Sequence, residues 1–375
     1  MRLRRSAPFV LPVLIALVAA SCGGGGSSAS KPKATTTTTV APTTTTAPPP
    51  PTAPLTGLPD PGNAASQRPL LSAKIENTPE ARPQTGLDAA DVVYEQVAEG
   101  GITRFIALFN SNIPDTLGPI RSTRAMDADV IWPLGGVFAY SGGIPQSVAL
   151  IQNSTANAVD ETAAGDAMFR AKCGTVPNPA QCRAPHNLFG RGPALVAKGG
   201  KPVPVPALFQ YLTAGEAFNG NPVANFTVDF ITGYRPTYTW DAASKTWLRS
   251  YGLFPFKAAS DQQIAPANVI VQLVGCCVPS PEAGSNVVVG SGTALIFSDG
   301  KVVQGTWSRP TRDQITQFLD PNGQPVKLTP GKTWVEFLPT PPFGLGTEIT
   351  PGPPAPPTTV PTTLPPTTTT KPKKK

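Results

Sequence analysis

Gly136-Val-Phe-Ala-Tyr-Ser-Gly-Gly-Ile-Pro-Gln-Ser-Val-Ala-Leu-Ile151 reads as a strand, a glycine turn and a helix in one run. Pro145 falls in the first helical turn, where its missing N–H costs nothing. Working upstream, Arg104-Phe-Ile-Ala-Leu-Phe109 is an almost wholly apolar run suited to a buried strand, and Leu71-Ser-Ala-Lys-Ile75 and Asp91-Val-Val-Tyr-Glu-Gln-Val97 are strand-like. Downstream, the Ala- and Gly-rich residues 156–200 read as loops with short helices. From Asn221 the character changes to short runs rich in aromatic and β-branched residues: Phe226–Ile231, Thr237–Trp240 and Thr246–Tyr251, with Asp241–Lys245 as a hairpin loop. Asn268–Val274, Ala294–Phe297, Lys301–Trp307 and Thr333–Leu338 are further strands, and Asp299-Gly300 supplies another hairpin turn. The fold expected is mixed α/β, or α+β: an N-terminal α/β region over residues 55–220 followed by a β-rich region over 221–345.

The ends have a different composition. The chain has 375 residues, 47 of them proline, with a formal net charge of +7. Residues 1–54 hold five bases and 351–375 hold four, with no acid in either; setting these nine aside leaves 21 bases against 23 acids, a net −2. The pI near 9.2 thus belongs to the ends, and the body is not a basic nucleic-acid binder. A single histidine excludes a multi-histidine metal site, and no cofactor fingerprint is present.

Arg2, Arg4 and Arg5 precede an apolar run from Phe9 to Ala20, a length suited to a signal peptide and too short for a permanent span. The run ends in Ala19-Ala20-Ser21-Cys22, which resembles a bacterial lipobox with Ala19 where leucine is usual. Cys22 is the expected lipidation site, placing the protein outside the cytoplasm on a membrane anchor; an ordinary secretory signal is the alternative. Residues 23–54 and 346–375, rich in Gly, Ser, Thr and Pro, have nothing to bury and read as a disordered tether and tail. In an exported chain, Cys173 and Cys182 are expected to form a disulfide around a short Pro-rich loop, leaving Cys276-Cys277 as a vicinal disulfide or as free thiols.

Lys74-Ile-Glu-Asn77, Ala81-Arg-Pro-Gln-Thr-Gly-Leu87, Ala90-Asp-Val-Val-Tyr-Glu95, Glu99-Gly-Gly-Ile-Thr-Arg-Phe105, Gly118-Pro-Ile-Arg-Ser-Thr-Arg124 and Ala184-Pro-His-Asn-Leu188 together resemble the YerB-like lipoproteins. Asn268-Val-Ile-Val-Gln272, Gly290-Ser-Gly-Thr-Ala294, Gly305-Thr-Trp307 and Pro330-Gly-Lys-Thr-Trp334 extend the likeness, which covers about residues 55–340. It implies an exported, lipid-anchored bacterial protein with a two-part fold. It supplies no reaction, because the family is defined by a domain of unknown function. The chain departs from the pattern in the Cys173–Cys182 loop, which looks like an insertion, and in Ser141 before the glycine pair.

Three features are candidates for one polar site. Arg82, Arg104, Arg121 and Arg124 could grip a carboxylate or phosphate through guanidinium forks. Ser141-Gly142-Gly143 would offer backbone N–H groups at a helix start. His186, followed by Asn187, is the third. The leading expectation is a non-enzymatic binder of an anionic envelope ligand: a glycan, a wall polymer or a peptide carboxylate. The alternatives are an envelope hydrolase using His186 with Glu95, Glu99 or Asp127 as acid/base, and a scaffold recruiting another envelope protein. The carboxylates also have a plain role open to them, as ion-pair partners of the arginines.

Overall fold

The computed structural model describes residues 50–199, 203–230, 233–276, 286–341 and 344–352. The signal-like segment with Cys22, the tether to residue 49, the tail after 352 and Cys277 lie outside them. In the first half, the apolar runs form β1 (Leu71–Glu76), β2 (Val92–Val97), β3 (Thr103–Phe109), β4 (Val137–Ala139) and β5 (Asn157–Val159), with helices α1 (Ala125–Ile131) and α2 (Pro145–Gln152). In the second half come β6 (Asn221–Phe230), β7 (Pro236–Asp241), β8 (Thr246–Tyr251), β9 (Phe254–Pro255), β10 (Asn268–Cys276), β11 (Gly290–Ser298), β12 (Lys301–Arg309), β13 (Thr333–Pro339) and β14 (Gly344–Pro351). Further short strands and 3-10 turns fill the connections.

One long sheet runs through both halves in the order β9-β8-β7-β6-β12-β11-β10-β13-β2-β3-β1-β4-β5. The join is made by β13, which lies parallel to β10 on one side and parallel to β2 on the other. A strand from late in the chain therefore completes the sheet of its beginning, and the described residues fall in a single unit. The Asp299-Gly300 turn closes β11 onto β12, with Ser298 opposite Lys301 and both turn residues at positive φ.

The central strands are buried on both faces, so their residues alternate between two cores. Val93, Phe105, Val269, Phe297 and Trp334 face one core, where Phe226, Tyr238 and Trp247 of β6–β8 cover them. Val92, Ile106, Ile270, Ile296 and Val335 face the other, covered by Val130 and Ile131 of α1 and Ile151 of α2. β6 pairs with β12 only through Asn221 and Pro222, then leaves to pair with β7 and β14. That departure lets the β6–β9 end of the sheet lie over the first face.

The mixed expectation holds in part: the described residues are about 40% strand and 16% helix, so strand predominates overall, and the α-helices among them all lie in the first half, short and set between its strands. Pro145–Gln152, eight residues, is the longest helix among them. Proline and glycine are the cause. Pro69, Pro79, Pro83 and Gly86 interrupt residues 65–91, and each Pro removes a backbone donor a helix would need. Three-residue 3-10 turns take the place of helices there.

Candidate functional site

The segment Pro119–Thr123 carries Arg121, and leads to Arg124, beside the end of β1. It lies against the end of β1, with Glu76 N–H donating to Pro119 O (3.0 Å) and Arg121 N–H to Lys74 O (2.9 Å). On its other side Ser141 N–H donates to Arg121 O (3.0 Å) and Thr123 N–H to Gly142 O (2.8 Å). The glycine turn before α2 is thereby placed beside Arg121 and Ser122, and the Ser122 and Ser141 hydroxyls are 3.3 Å apart. Gly142 adopts φ +126°, a conformation L side chains rarely take.

Four cations and three described carboxylates meet here. Lys74 and Asp127 form a fully buried pair at 2.7 Å. Asp127 also accepts from the Gln96 amide, from the Thr123 hydroxyl (2.9 Å) and from the Arg124 N–H (2.8 Å), fixing the start of α1. Glu76, buried on β1, is shared by Arg121 Nε (3.1 Å), His186 Nδ1 (3.0 Å) and the Thr78 hydroxyl (3.1 Å). Glu99 is gripped in two places by Arg124, while Arg104 reaches it only at 3.6 Å.

Arg104 is the least well compensated of the four. Its side chain is about 5% exposed, its Nε is buried without a partner, and Nη1 donates to Ser122 O at 3.2 Å. Burial, then the neighbouring Arg124 and Arg121, push its pKa down to about 10. Arg121 is the outermost: its Nε is ion-paired with Glu76 but meets no hydrogen-bond acceptor in good geometry among the described residues, and its side chain is 19% exposed. The edge therefore presents a guanidinium, two hydroxyls and a glycine turn to solvent, with a second positive charge buried behind.

Lys74 supplies a pH test. Burial outweighs the pull of Asp127 and lowers its pKa to about 8. The unfolded state then binds more protons than the folded one between about pH 8 and 10.5, so Lys74's contribution to stability rises with pH across that window. In urea unfolding, the wild type should gain on Lys74→Met from pH 8 to 10, by at most about 1.4 kcal/mol per pH unit. A constant difference would contradict the assignment.

Other sequence-chosen residues lie elsewhere. Asn187 accepts from Arg170 Nη1 (2.8 Å), which also grips Glu161, and so belongs to a different contact. Arg82 donates to Asn77 Oδ1 and to Asn77 O, and its guanidinium stacks on the Tyr251 ring at 4.3 Å. Glu95 faces the opposite side of the sheet, where sequence reasoning named no partner. There Arg249 Nη2 meets it at 2.7 Å, with both side chains fully buried, and Thr103 and Trp334 add hydrogen bonds. Glu336 is directly beside Glu95 in the β2–β13 register and accepts from the Tyr238 hydroxyl. The Arg249 guanidinium lies within 5 Å of the Tyr251, Phe256 and Trp334 rings. Burial, then the adjacent Glu95, raise the Glu336 pKa well above the carboxylate range. This network binds the two halves. Its signal in the sequence was a charge alternating with aromatics in Trp247-Leu-Arg-Ser-Tyr251, and a glutamate inside the apolar run of β13.

Cys173 and Cys182 form a disulfide. The loop they close is held to the Pro79–Pro83 turn, Gln181 donating to Ala81 O (2.7 Å) and Asn178 to Arg82 O (2.8 Å). Cys276 is also disulfide-bonded. Among the described residues no group of three or more metal-ligating side chains occurs, and no helix is long and apolar enough to cross a membrane.

The fold is that of a two-part family of undefined activity. The chain belongs to it: residues 55–201 match the "Protein of unknown function (DUF3048) N-terminal domain" and 226–335 its C-terminal domain. It is 28% identical over 298 residues to the Bacillus subtilis (strain 168) protein named "Putative lipoprotein YerB", covering 76% of this chain and 86% of that one. The crystal structure of Bacillus subtilis YerB superposes with a TM-score of 0.67 at 24% identity, over 80% of this chain and 99% of that one.

Proposed function

We propose that the protein is an exported, lipid-anchored envelope protein that binds an anionic envelope ligand, a phosphate- or carboxylate-bearing polymer or peptide, at the Arg121 edge. The observation that carries this reading is the Arg121 guanidinium, held by Glu76 through Nε alone, beside the Ser122 and Ser141 hydroxyls and the glycine turn. Buried Arg104 adds charge without closing the site. The name of the Bacillus relative supports the anchor, as does the lipobox-like string ending at Cys22. The expected result is a rise in melting temperature of the full chain in inorganic phosphate or soluble wall fragments. A ligand at a hundred times its Kd stabilises by about 2.7 kcal/mol. Arg121→Gln should abolish the rise measured from its own unliganded value; an equal rise in that variant would refute the site.

A hydrolase is the second reading, favoured by the Glu76–His186 contact, since a carboxylate on Nδ1 orients an imidazole for proton transfer through Nε2. It requires turnover of a glycan or phosphodiester that His186→Ala eliminates. Against it, Glu95 lies across the sheet and Asp127 is consumed by Lys74, Gln96, Thr123 and Arg124.

A further inference from the structure

The hairpin joining β8 to β9 carries a residue that its turn does not need. Tyr251 pairs with Phe254, so Gly252 and Leu253 form a two-residue loop, with Gly252 at φ +56°. Such loops take Gly, Asn or Asp, and Gly252 meets that demand. Leu253 does not: it is 96% exposed, and Phe254 beside it is 79% exposed. The next most exposed large apolar side chain among the described residues is Val203, at 47%. Behind the tip, Tyr251, Phe254, Pro255 and Phe256 line a shallow groove of about 550 Å³ together with Arg82 and the Lys257–Asp261 ion pair (2.8 Å). Two adjacent apolar side chains directed into solvent contribute nothing to the core, so their use lies outside the fold.

We infer that the Leu253–Phe254 tip is a bilayer contact that seats the tethered body on the membrane surface. The tip is a projection, which a fluid acyl layer accepts without a complementary pocket. Aromatic and aliphatic side chains with cations above them suit the headgroup boundary. The chain's entry to the body is joined to this hairpin by a short run of contacts. Thr56 O accepts from Gly331 N–H (2.7 Å), Lys332 bonds Asp88 O, and Asp88 accepts from Ser260 (2.9 Å) in the loop that follows Lys257. Residues 23–49 put 27 residues of chain between Cys22 and the described body, a length that lets the tip and an anchor at Cys22 reach one surface. The inference rests on the lipid-anchored reading above, and its test separates the two.

The lipidated full chain carrying Phe254→Trp would be incorporated into phosphatidylcholine–phosphatidylglycerol vesicles with plain or brominated acyl chains. Emission is read as the excess over the wild-type chain, which has five tryptophans of its own. The excess should fall by more than half in brominated vesicles, while Ala243→Trp, at the far end of the β7–β8 hairpin, should lose none. A chain that sediments with the vesicles but whose added emission is unquenched overturns the tip contact alone and assigns those side chains to a protein partner. A chain that stays in the supernatant overturns both the anchor and the tip.

Discussion

Arg249→Met is expected to destabilise the body by about 3–5 kcal/mol, the cost of breaking a buried pair by removing one partner. Glu95 and Arg249 are both fully buried at 2.7 Å, and Glu95 comes from the first half of the chain while Arg249 comes from the second. Without the guanidinium, Glu95 would keep Thr103, Asn77 and Trp334 as donors but no charge, and would face Glu336. The loss extends to the rings: Tyr251, Phe256 and Trp334 pack around the guanidinium at 4.7, 4.2 and 4.9 Å. Arg249→Lys should rescue little, because an ammonium cannot bond Glu95, Tyr238 and Tyr251 from one planar group. Adding Glu95→Gln to Arg249→Met should recover part of the loss, a coupling that urea unfolding of the four proteins would measure. A loss below about 1 kcal/mol would show that this ion pair adds little to holding the two halves together.

Glu336→Gln should act in the opposite direction. Burial, with Glu95 alongside, lifts the Glu336 pKa well above its ordinary 4.5, so the fold holds the Glu336 proton to higher pH than the unfolded chain does. Above pH 4.5 the folded chain binds more protons at this site than the unfolded one, so the Glu336 contribution to stability falls as pH rises. Glutamine mimics the neutral acid and keeps an oxygen for the Tyr238 hydroxyl. The variant should gain on the wild type as pH is raised from 4.5 to 7, by at most about 1.4 kcal/mol per pH unit, with the gain shrinking to nothing below 4.5. Equal stability at both pH values would mean that Glu336 is ionised in the fold.

These two residues also show where sequence reading stops. The strands were legible because β-branched and aromatic runs mark buried sheet, and the Asp299-Gly300 turn fixed its own hairpin. The disulfide followed from the short loop between Cys173 and Cys182. The arginines of Gly118–Arg124 meet Glu76 and Glu99 because Pro119–Thr123 runs beside β1, a neighbourhood that local pattern only hinted at. Glu95 could not be placed. The β2–β3 register sets Arg104 opposite Gln96, so Glu95 points to the other face, and that Arg249, 154 residues on in the chain, covers that face depends on where β8 packs. Strand order of that kind is a tertiary property, and a two-residue period says only that Glu95 and Gln96 point to opposite faces. Helix content was over-read for a different reason: strand–turn–helix units were recognised, but proline and glycine keep every helix between them to two turns or so.

The proposed anion site stands or falls on direct binding. Titration calorimetry of the full chain with a soluble glycerol phosphate oligomer, beside a neutral glycan of similar length, tests it most directly. Binding of the phosphate oligomer alone, weakened by added salt and at least tenfold weaker in Arg121→Gln, is the result predicted. Equal affinity for the neutral glycan, or phosphate binding untouched by Arg121→Gln, would contradict it.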